Sequence, residues 1–130
     1  MKATVSWKEN LRFNCKTDTG HTLDLEGNGE ILSPMESVLL SVGACSSIDV
    51  VDILKKSRKQ VDDCVCQLEA KRAEEAPRVF TEIHAHYIVK GEGLTEKDVA
   101  RAIQLSAEKY CSVMLMLTGN VEITTSYELT

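Results

Sequence analysis

One long apolar segment, residues 34–58, constrains what this chain can fold into. Its start is marked by Ser33, Pro34 and Glu36, which form a capping box with proline at the first helical position. Beyond Val38, apolar side chains occupy nearly every side of this helix, and a helix that is apolar all round must be buried all round. Because 130 residues offer little material to wrap such a helix, we expect a homodimer with the helix at its centre.

The other segments predict an α+β domain. Alternation of apolar and polar residues indicates strands, and apolar residues spaced by three and four indicate helices. The expected elements are a strand pair over residues 3–17, a third strand over 21–26, a hairpin over 61–72 and 78–90, a helix from about Thr95, a short helix ended by Gly119, and a strand over 121–129. The order βββ-α-ββ-α-α-β predicts a single domain over residues 1–130.

Charge and composition exclude several classes of function. A net charge of −5 argues against a nucleic-acid partner, which would need a clustered basic surface. The first ten residues lack the apolar run of a signal peptide. The longest uncharged stretch, Ser37–Ile48, is too short to span a membrane, which takes ~20 apolar residues. We therefore expect a cytoplasmic protein with no membrane contact, in which the five cysteines are thiols and not a disulfide framework.

A zinc site is suggested by Cys64 and Cys66 on one predicted strand and His84 and His86 on the next. The alternation argues against it, because both cysteines lie on the apolar face of their strand whereas both histidines lie opposite the apolar face of theirs. Since side chains alternate with a period of two, no register that buries both apolar faces brings the four ligands together. We predict core thiols and surface histidines, with no metal and no cofactor.

Cys45 lies about three turns into the long helix, too far from its N-terminus for the macrodipole to lower the thiol pKa much. Asp49 and Asp52 follow on the same face, and a nearby carboxylate raises the pKa of a thiol. Gly43 leaves room for close approach of another chain or a ligand. From these residues alone, Cys45 is either an inert buried thiol or a nucleophile that needs a cation from elsewhere.

Cys111 has more favourable local chemistry. It stands at the joint between two predicted helices, where it can cap the second helix, and the backbone N–H groups there favour a thiolate. The alternative is a buried joint residue beside Tyr110 and Val113. The residues themselves leave both interpretations open.

The two cysteines and their surroundings resemble a known family. Pro34, Cys45 within GACSSIDVV and Cys111 within AEKYCSV resemble the OsmC/Ohr superfamily of organic hydroperoxide reductases, and the similarity extends over essentially the whole chain. The wording of SPMESVLL and GACSSIDVVDILKK is most similar to the YhfA-like branch. The resemblance implies an OsmC-like fold, with antiparallel sheets around a long central helix in an intertwined homodimer.

The resemblance also implies a reaction. Cys45 would attack a small hydrophobic hydroperoxide and become a sulfenic acid, and Cys111 would resolve it to a disulfide that a lipoyl-type dithiol reduces. Arg12, the only arginine before the helix, would supply the activating charge. The family glutamate that follows the proline is replaced by Met35, and Glu36 comes one residue later.

Two functions therefore stand as expectations. The first is a thiol-dependent peroxidase for organic hydroperoxides, with Cys45, Cys111, Arg12 and Glu36 as its site residues. The second is a catalytically weak binding module or redox sensor of the same fold, which holds a small hydrophobic ligand. Met35 in the glutamate position motivates the second.

Overall fold

The structure is a computed structural model that describes residues 1–130. The chain divides into two compact units, residues 1–38 and 39–130, and each is described by itself. The expected order of strands and helices is confirmed throughout, with one π-helical turn in addition. The single-domain organisation stays a prediction.

The first unit is a three-stranded antiparallel sheet of β1 (Ala3–Glu9), β2 (Arg12–Thr17) and β3 (Thr22–Glu26) in the order β1-β2-β3. Its alternation is the one expected, because Phe13 pairs with Trp7 and with Leu25 whereas Arg12 pairs with Glu26. The apolar side chains remain open to solvent, and Trp7 is 66% exposed. The first unit by itself therefore leaves the apolar face of its sheet uncovered.

Helix α1 spans Pro34–Lys56, close to the expected length. The predicted capping box is confirmed: the Glu36 N–H donates to Ser33 Oγ at 3.1 Å, and the Ser33 N–H donates to Glu36 Oε1 at 3.0 Å. One side of the helix is buried, through Val42, Gly43, Ser46, Val50 and Leu54, whereas Ile48 is 68% exposed. The all-round burial that the sequence requires is not reached within one chain.

By length and composition alone α1 could cross a membrane, although only 28% of its most apolar stretch is buried. The core helix of a water-soluble protein meets the same criterion, so length and composition do not by themselves make α1 a membrane span. The sequence interpretation counted only the uncharged run Ser37–Ile48 and did not foresee it.

In the second unit, β4 (Asp63–Arg72), β5 (Phe80–Lys90) and β6 (Glu122–Leu129) form a sheet in the order β4-β5-β6. β4 and β5 are antiparallel, as the predicted hairpin requires. β6 runs parallel to β5, so the expectation of antiparallel sheets is wrong for this strand. The long helical connection between β5 and β6 is the crossover that a parallel pair needs.

That connection consists of α2 (Glu96–Leu105), a π-helix (Ser106–Tyr110) and α3 (Ser112–Leu117). Thr95 caps α2, because its side chain accepts from the Asp98 N–H while the Asp98 carboxylate accepts from the Thr95 N–H. The core of this unit is built from α1, β5 and these helices, and its large, fully buried apolar side chains are Val42, Val50, Leu54, Ile83, Tyr87, Val89, Val99, Cys111 and Met114.

Candidate active site around Cys45 and Cys111

The structure brings Cys45 and Cys111 together in the second unit. Cys45 lies in α1 and is partly exposed, whereas Cys111 lies between the π-helix and α3 and is fully buried. The two side chains interact, because Cys45 is among the groups that raise the pKa of Cys111, and both cysteines are free thiols. The two cysteines are therefore close enough to interact, as the two members of a redox pair must be.

Burial dominates the electrostatics of Cys111. It raises the pKa of the Cys111 thiol to about 11, and the neighbouring Cys45 adds to this rise. Cys111 is the N-cap of α3, as expected, and its sulfur accepts from the Met114 N–H at 3.4 Å. This hydrogen bond lowers the pKa but does not compensate for burial. Of the two interpretations that the sequence left open, the buried joint residue describes Cys111, which is a protonated thiol at neutral pH.

The π-helix determines where Cys111 stands. The Cys111 N–H donates to the Ser106 carbonyl, five residues back, at 2.8 Å, where an α-helix would use the residue four back. One extra residue is thereby inserted before Cys111, which takes an extended conformation and starts a new helix. π-helical turns of this kind occur frequently at functional sites. The sequence predicted a joint here but not its form.

Next to the two thiols, α1 is joined to the π-helix by a chain of hydrogen bonds between side chains. Tyr87 and Ser46 share a hydrogen bond between their hydroxyls, and Ser106 Oγ lies 3.4 Å from Ser46 Oγ. The Ser106 hydroxyl also donates to Asp49 Oδ2 at 2.9 Å. Tyr87, Ser46 and Ser106 are fully buried, and burial raises the pKa of Tyr87.

We call Tyr87, Ser46, Ser106 and Asp49 the hydroxyl network. The sequence interpretation missed it, although one signal was present: Ser46 is a polar residue on the buried stripe of α1. Asp49 was expected to act on Cys45 as a nearby carboxylate. In the structure its carboxylate instead accepts the Ser106 hydroxyl.

Arg12 belongs to the first unit and is held there by a buried carboxylate. Its Nε and Nη2 donate to Glu26 Oε2 at 3.1 and 3.0 Å, and Nη2 lies 3.4 Å from Glu30. Burial by itself would raise the pKa of Glu26, but hydrogen bonds from Arg12 and from the Ile31 and Glu30 N–H groups lower it. The Glu26 contact in turn raises the pKa of Arg12. Sequence reasoning missed Glu26.

Glu36 also lies in the first unit and is exposed. The backbone N–H of Ser33, together with its side chain, lowers the pKa of this carboxyl, which is the capping interaction described above. The structure thus gives both Arg12 and Glu36 contacts of their own. Their roles at Cys45 stay predictions.

Cys64 and Cys66 lie on the opposite sheet face from His84 and His86. In the register of β4 and β5, Cys66 pairs with Tyr87, whereas His86 pairs with Gln67 on the polar face. Burial raises the pKa of both Cys64 and Cys66. The facing that the alternation predicted is confirmed, and it separates the two pairs of possible metal ligands.

The histidines bond along β6. His84 contacts Thr124 and Ser126, and His86 contacts Ser126 and Glu128, at 2.6–2.8 Å. Both ring nitrogens of each histidine therefore have hydrogen-bond partners on the polar face of the sheet.

An open cleft of about 500 Å³ lies beside α1, next to Tyr110. Charged side chains on its walls include Asp49, Asp52, Lys56 and Arg101.

Comparison with known proteins gives a consistent result. Residues 27–126 match the model of a family described as OsmC-like protein. The chain is 52% identical over 131 residues to the protein YhfA of Escherichia coli strain K12, covering 99% of this chain and 98% of that protein.

Solved structures share the fold. A hypothetical protein from Aquifex aeolicus VF5 is 35% identical, with a TM-score of 0.90 over 99% of this chain and 95% of the other. An organic hydroperoxide resistance protein from Elizabethkingia anophelis has a TM-score of 0.76 over 98% of this chain and 94% of its own. At 14% identity, this second likeness is one of fold alone.

Proposed function

Because the chain belongs to the OsmC-like family, and within it is similar to YhfA as the sequence predicted, we propose that it is a thiol-dependent peroxidase that reduces organic hydroperoxides. Three solved structures of this fold are named organic hydroperoxide resistance proteins. Fold by itself does not define activity. The observation that carries the proposal is the interaction between Cys45 and Cys111 in the folded chain.

The proposed reaction has three steps. The Cys45 thiolate attacks the outer oxygen of the hydroperoxide, the O–O bond breaks, and the alkoxide leaves and is protonated to an alcohol. Cys111 then attacks the sulfur of the Cys45 sulfenic acid, which forms the disulfide and releases water. A dithiol reduces the disulfide by exchange and returns both cysteines as thiols.

The environment of each cysteine supports this division of roles. Cys111 is fully buried with a pKa of about 11, so it is neither accessible to peroxide nor ionised at neutral pH. Cys45 is partly exposed. Cys45 is therefore the residue that reacts with the substrate, and Cys111 is the resolving thiol next to it.

A dihydrolipoamide-coupled assay with cumene hydroperoxide tests the proposal. Cys45→Ser is expected to abolish turnover, and Cys111→Ser to leave one oxidation of Cys45 that does not proceed to the internal disulfide. Cys15→Ser is the matched control, because Cys15 is a free, partly exposed thiol like Cys45 but has no role in the proposed cycle, and it is expected to retain activity. Turnover that survives Cys45→Ser would refute the peroxidase.

Arg12 and Glu36 complete the proposed site. Arg12→Ala is expected to slow the oxidation of Cys45, because the variant removes the proposed stabilising charge. Glu36→Gln separates catalysis from capping, since glutamine serves a capping box as well as glutamate does. If Glu36→Gln leaves both stability and peroxide reduction unchanged, Glu36 is a capping residue only.

We further propose that the active protein is a cytoplasmic homodimer. Apolar side chains stay open in both units, among them Trp7 on the first sheet and Ile48 on α1, at 66% and 68% exposure. A second copy of the chain is the cover that a buried central helix needs. A folded monomer at micromolar concentration in sedimentation, in the absence of detergent, would contradict this.

One observation favours the second candidate, a catalytically weak binding module or redox sensor. Arg12 is already paired with the buried Glu26, and a paired guanidinium has less charge to offer a thiolate. In that case hydroperoxide oxidises Cys45 slowly, and no dithiol sustains turnover. Rapid catalytic consumption of cumene hydroperoxide would reject this alternative.

A further inference from the structure

Ser106 occupies a position that links the two halves of the proposed redox pair. Its carbonyl accepts the N–H of Cys111 at 2.8 Å. Its hydroxyl donates to Asp49 Oδ2 at 2.9 Å and lies 3.4 Å from Ser46 Oγ, and Ser46 follows Cys45 directly in α1. The main chain of Ser106 is thus hydrogen-bonded to Cys111, and its side chain is hydrogen-bonded to α1, the helix that carries Cys45.

The Ser106 hydroxyl does more than fill space in the core. Ser106 is fully buried, and a buried hydroxyl that only filled space would be replaced at no loss by an apolar group of similar size. Here the hydroxyl instead reaches a carboxylate, which makes the stronger, charge-assisted type of hydrogen bond. The bond crosses from the π-helix to α1, the two elements whose relative placement determines the distance between the sulfur atoms.

We propose that Ser106 is a positioning residue, held by Asp49, that fixes Cys111 against Cys45 for the resolution step. The inference rests on the proposed function, because resolution is a step of that cycle. In this step the Cys111 sulfur bonds to the Cys45 sulfur, the Cys45 S–O bond breaks, and the Cys111 proton leaves with the hydroxide as water. Its rate depends on how closely the two sulfurs are held.

The direct measure is the effective concentration of Cys111 at Cys45, obtained by equilibrating the full-length protein with reduced and oxidised glutathione. The disulfide between the two residues is quantified by peptide mass spectrometry. For Ser106→Ala we expect a decrease of about 10-fold, since a displacement of ~1 Å is enough to change such proximity effects by ~100-fold. A 10-fold change corresponds to a reduction potential higher by ~30 mV.

The same variant is expected to separate two rates. Oxidation of Cys45 by cumene hydroperoxide stays within a factor of about two of the wild type, because Ser106 does not touch the substrate. Conversion of the sulfenic acid to the disulfide falls by about 10-fold, as the displacement argument requires. The sulfenic acid then persists, and excess peroxide carries Cys45 to the sulfinic acid, which mass spectrometry detects.

Asp49 offers a conservative comparison. Asp49→Asn keeps an acceptor oxygen for Ser106 and is expected to stay within about threefold of the wild type, whereas Asp49→Ala removes the acceptor and is expected to behave as Ser106→Ala. Thr118→Val is the matched control. It removes a part-buried hydroxyl that donates to the Met114 carbonyl at 2.8 Å, within the same helical connection but away from α1.

The outcomes are distinct. An unchanged glutathione equilibrium in Ser106→Ala, or an equal shift in Thr118→Val, overturns the positioning role, because the effect would then be absent or merely one of stability. If Ser106→Ala does not fold, Asp49→Ala breaks the same hydrogen bond, and a wild-type equilibrium in that variant overturns the proposal. The glutathione measurement uses no peroxide, so a protein that fails the peroxidase assay still reports on Ser106.

Discussion

Burial of Cys111 predicts an unusual pH profile for its reactivity. Its pKa is raised to about 11, chiefly by burial, and removal of Cys45 takes away only a smaller contribution. At pH 8 a thiol of ordinary pKa, ~8.5, is about 24% ionised, whereas Cys111 would be about 0.1% ionised, a difference of roughly 200-fold. Because the thiolate is the nucleophile, alkylation of Cys111 slows by this factor from ionisation alone.

The assay uses the Cys45→Ser variant, in which Cys111 cannot form its proposed disulfide. Native protein is treated with iodoacetamide between pH 7 and 10, and modification of Cys111 is followed by peptide mass spectrometry. The logarithm of the rate is expected to rise by about one per pH unit over the whole range, because the pKa lies above it. The same reaction in urea serves as the control and is expected to level off near pH ~8.5.

The shape of the profile separates ionisation from access. Poor access lowers the rate by the same factor at every pH, whereas a raised pKa moves the plateau. A plateau below pH ~9.5 in the folded protein would refute the reasoning, since Cys111 would then be ionised more easily than its burial allows. That result would also weaken the assignment of Cys111 as the resolving thiol that waits in protonated form.

Three further predictions concern stability. Glu26→Gln is expected to lower the urea midpoint at pH 7. Because folding lowers the pKa of Glu26, its carboxylate stabilises the folded state fully above the unfolded pKa of ~4.3, and this stabilisation is lost as the pH falls through the folded pKa. The urea midpoints of wild type and variant are therefore expected to converge in acid. Gly43→Val is expected to lower the free energy of unfolding by ~1–3 kcal/mol, since even a Cβ at this position lies 2.7 Å from Leu68 Cδ1, and chemical denaturation with a Leu68→Ala rescue checks it. Ser33→Ala removes the cap of α1 and is expected to lower that free energy by ~1 kcal/mol, with no loss expected for Glu36→Gln in the same denaturation series.

The fold could be predicted from the sequence where local rules apply. Ser33 and Pro34 mark the start of α1, and strict alternation gives each strand its faces, so Cys66 and His86 were placed on opposite sides of the sheet. Alternation carries no information on strand direction, and for this reason the parallel pairing of β6 was missed. The π-helix was missed because a shift of one hydrogen bond, from the i−4 to the i−5 carbonyl, leaves no mark in composition.

The candidate site could be predicted only in part. The residues themselves left the pairing of Cys45 with Cys111 open, and it was family resemblance that joined them. The hydroxyl network could not be foreseen, because its members come from α1, β5 and the π-helix and meet only in the folded unit. The direction of the Cys111 pKa shift stayed open, since the sequence shows the helix cap but not the burial that outweighs it.

The contacts of Arg12 decide between the two proposed functions. Glu26 is 3% exposed, and its carboxylate accepts hydrogen bonds from Arg12 and from two backbone N–H groups. These donors together stabilise the buried charge. A buried carboxylate that loses its only cation is strongly destabilised. Arg12 therefore cannot leave Glu26 for Cys45 without a compensating contact. Fast peroxide reduction requires either that Arg12 contact the Cys45 thiolate while it stays bound to Glu26, or that another cation activate Cys45. A protein that meets neither condition is a slow redox sensor with the same two cysteines.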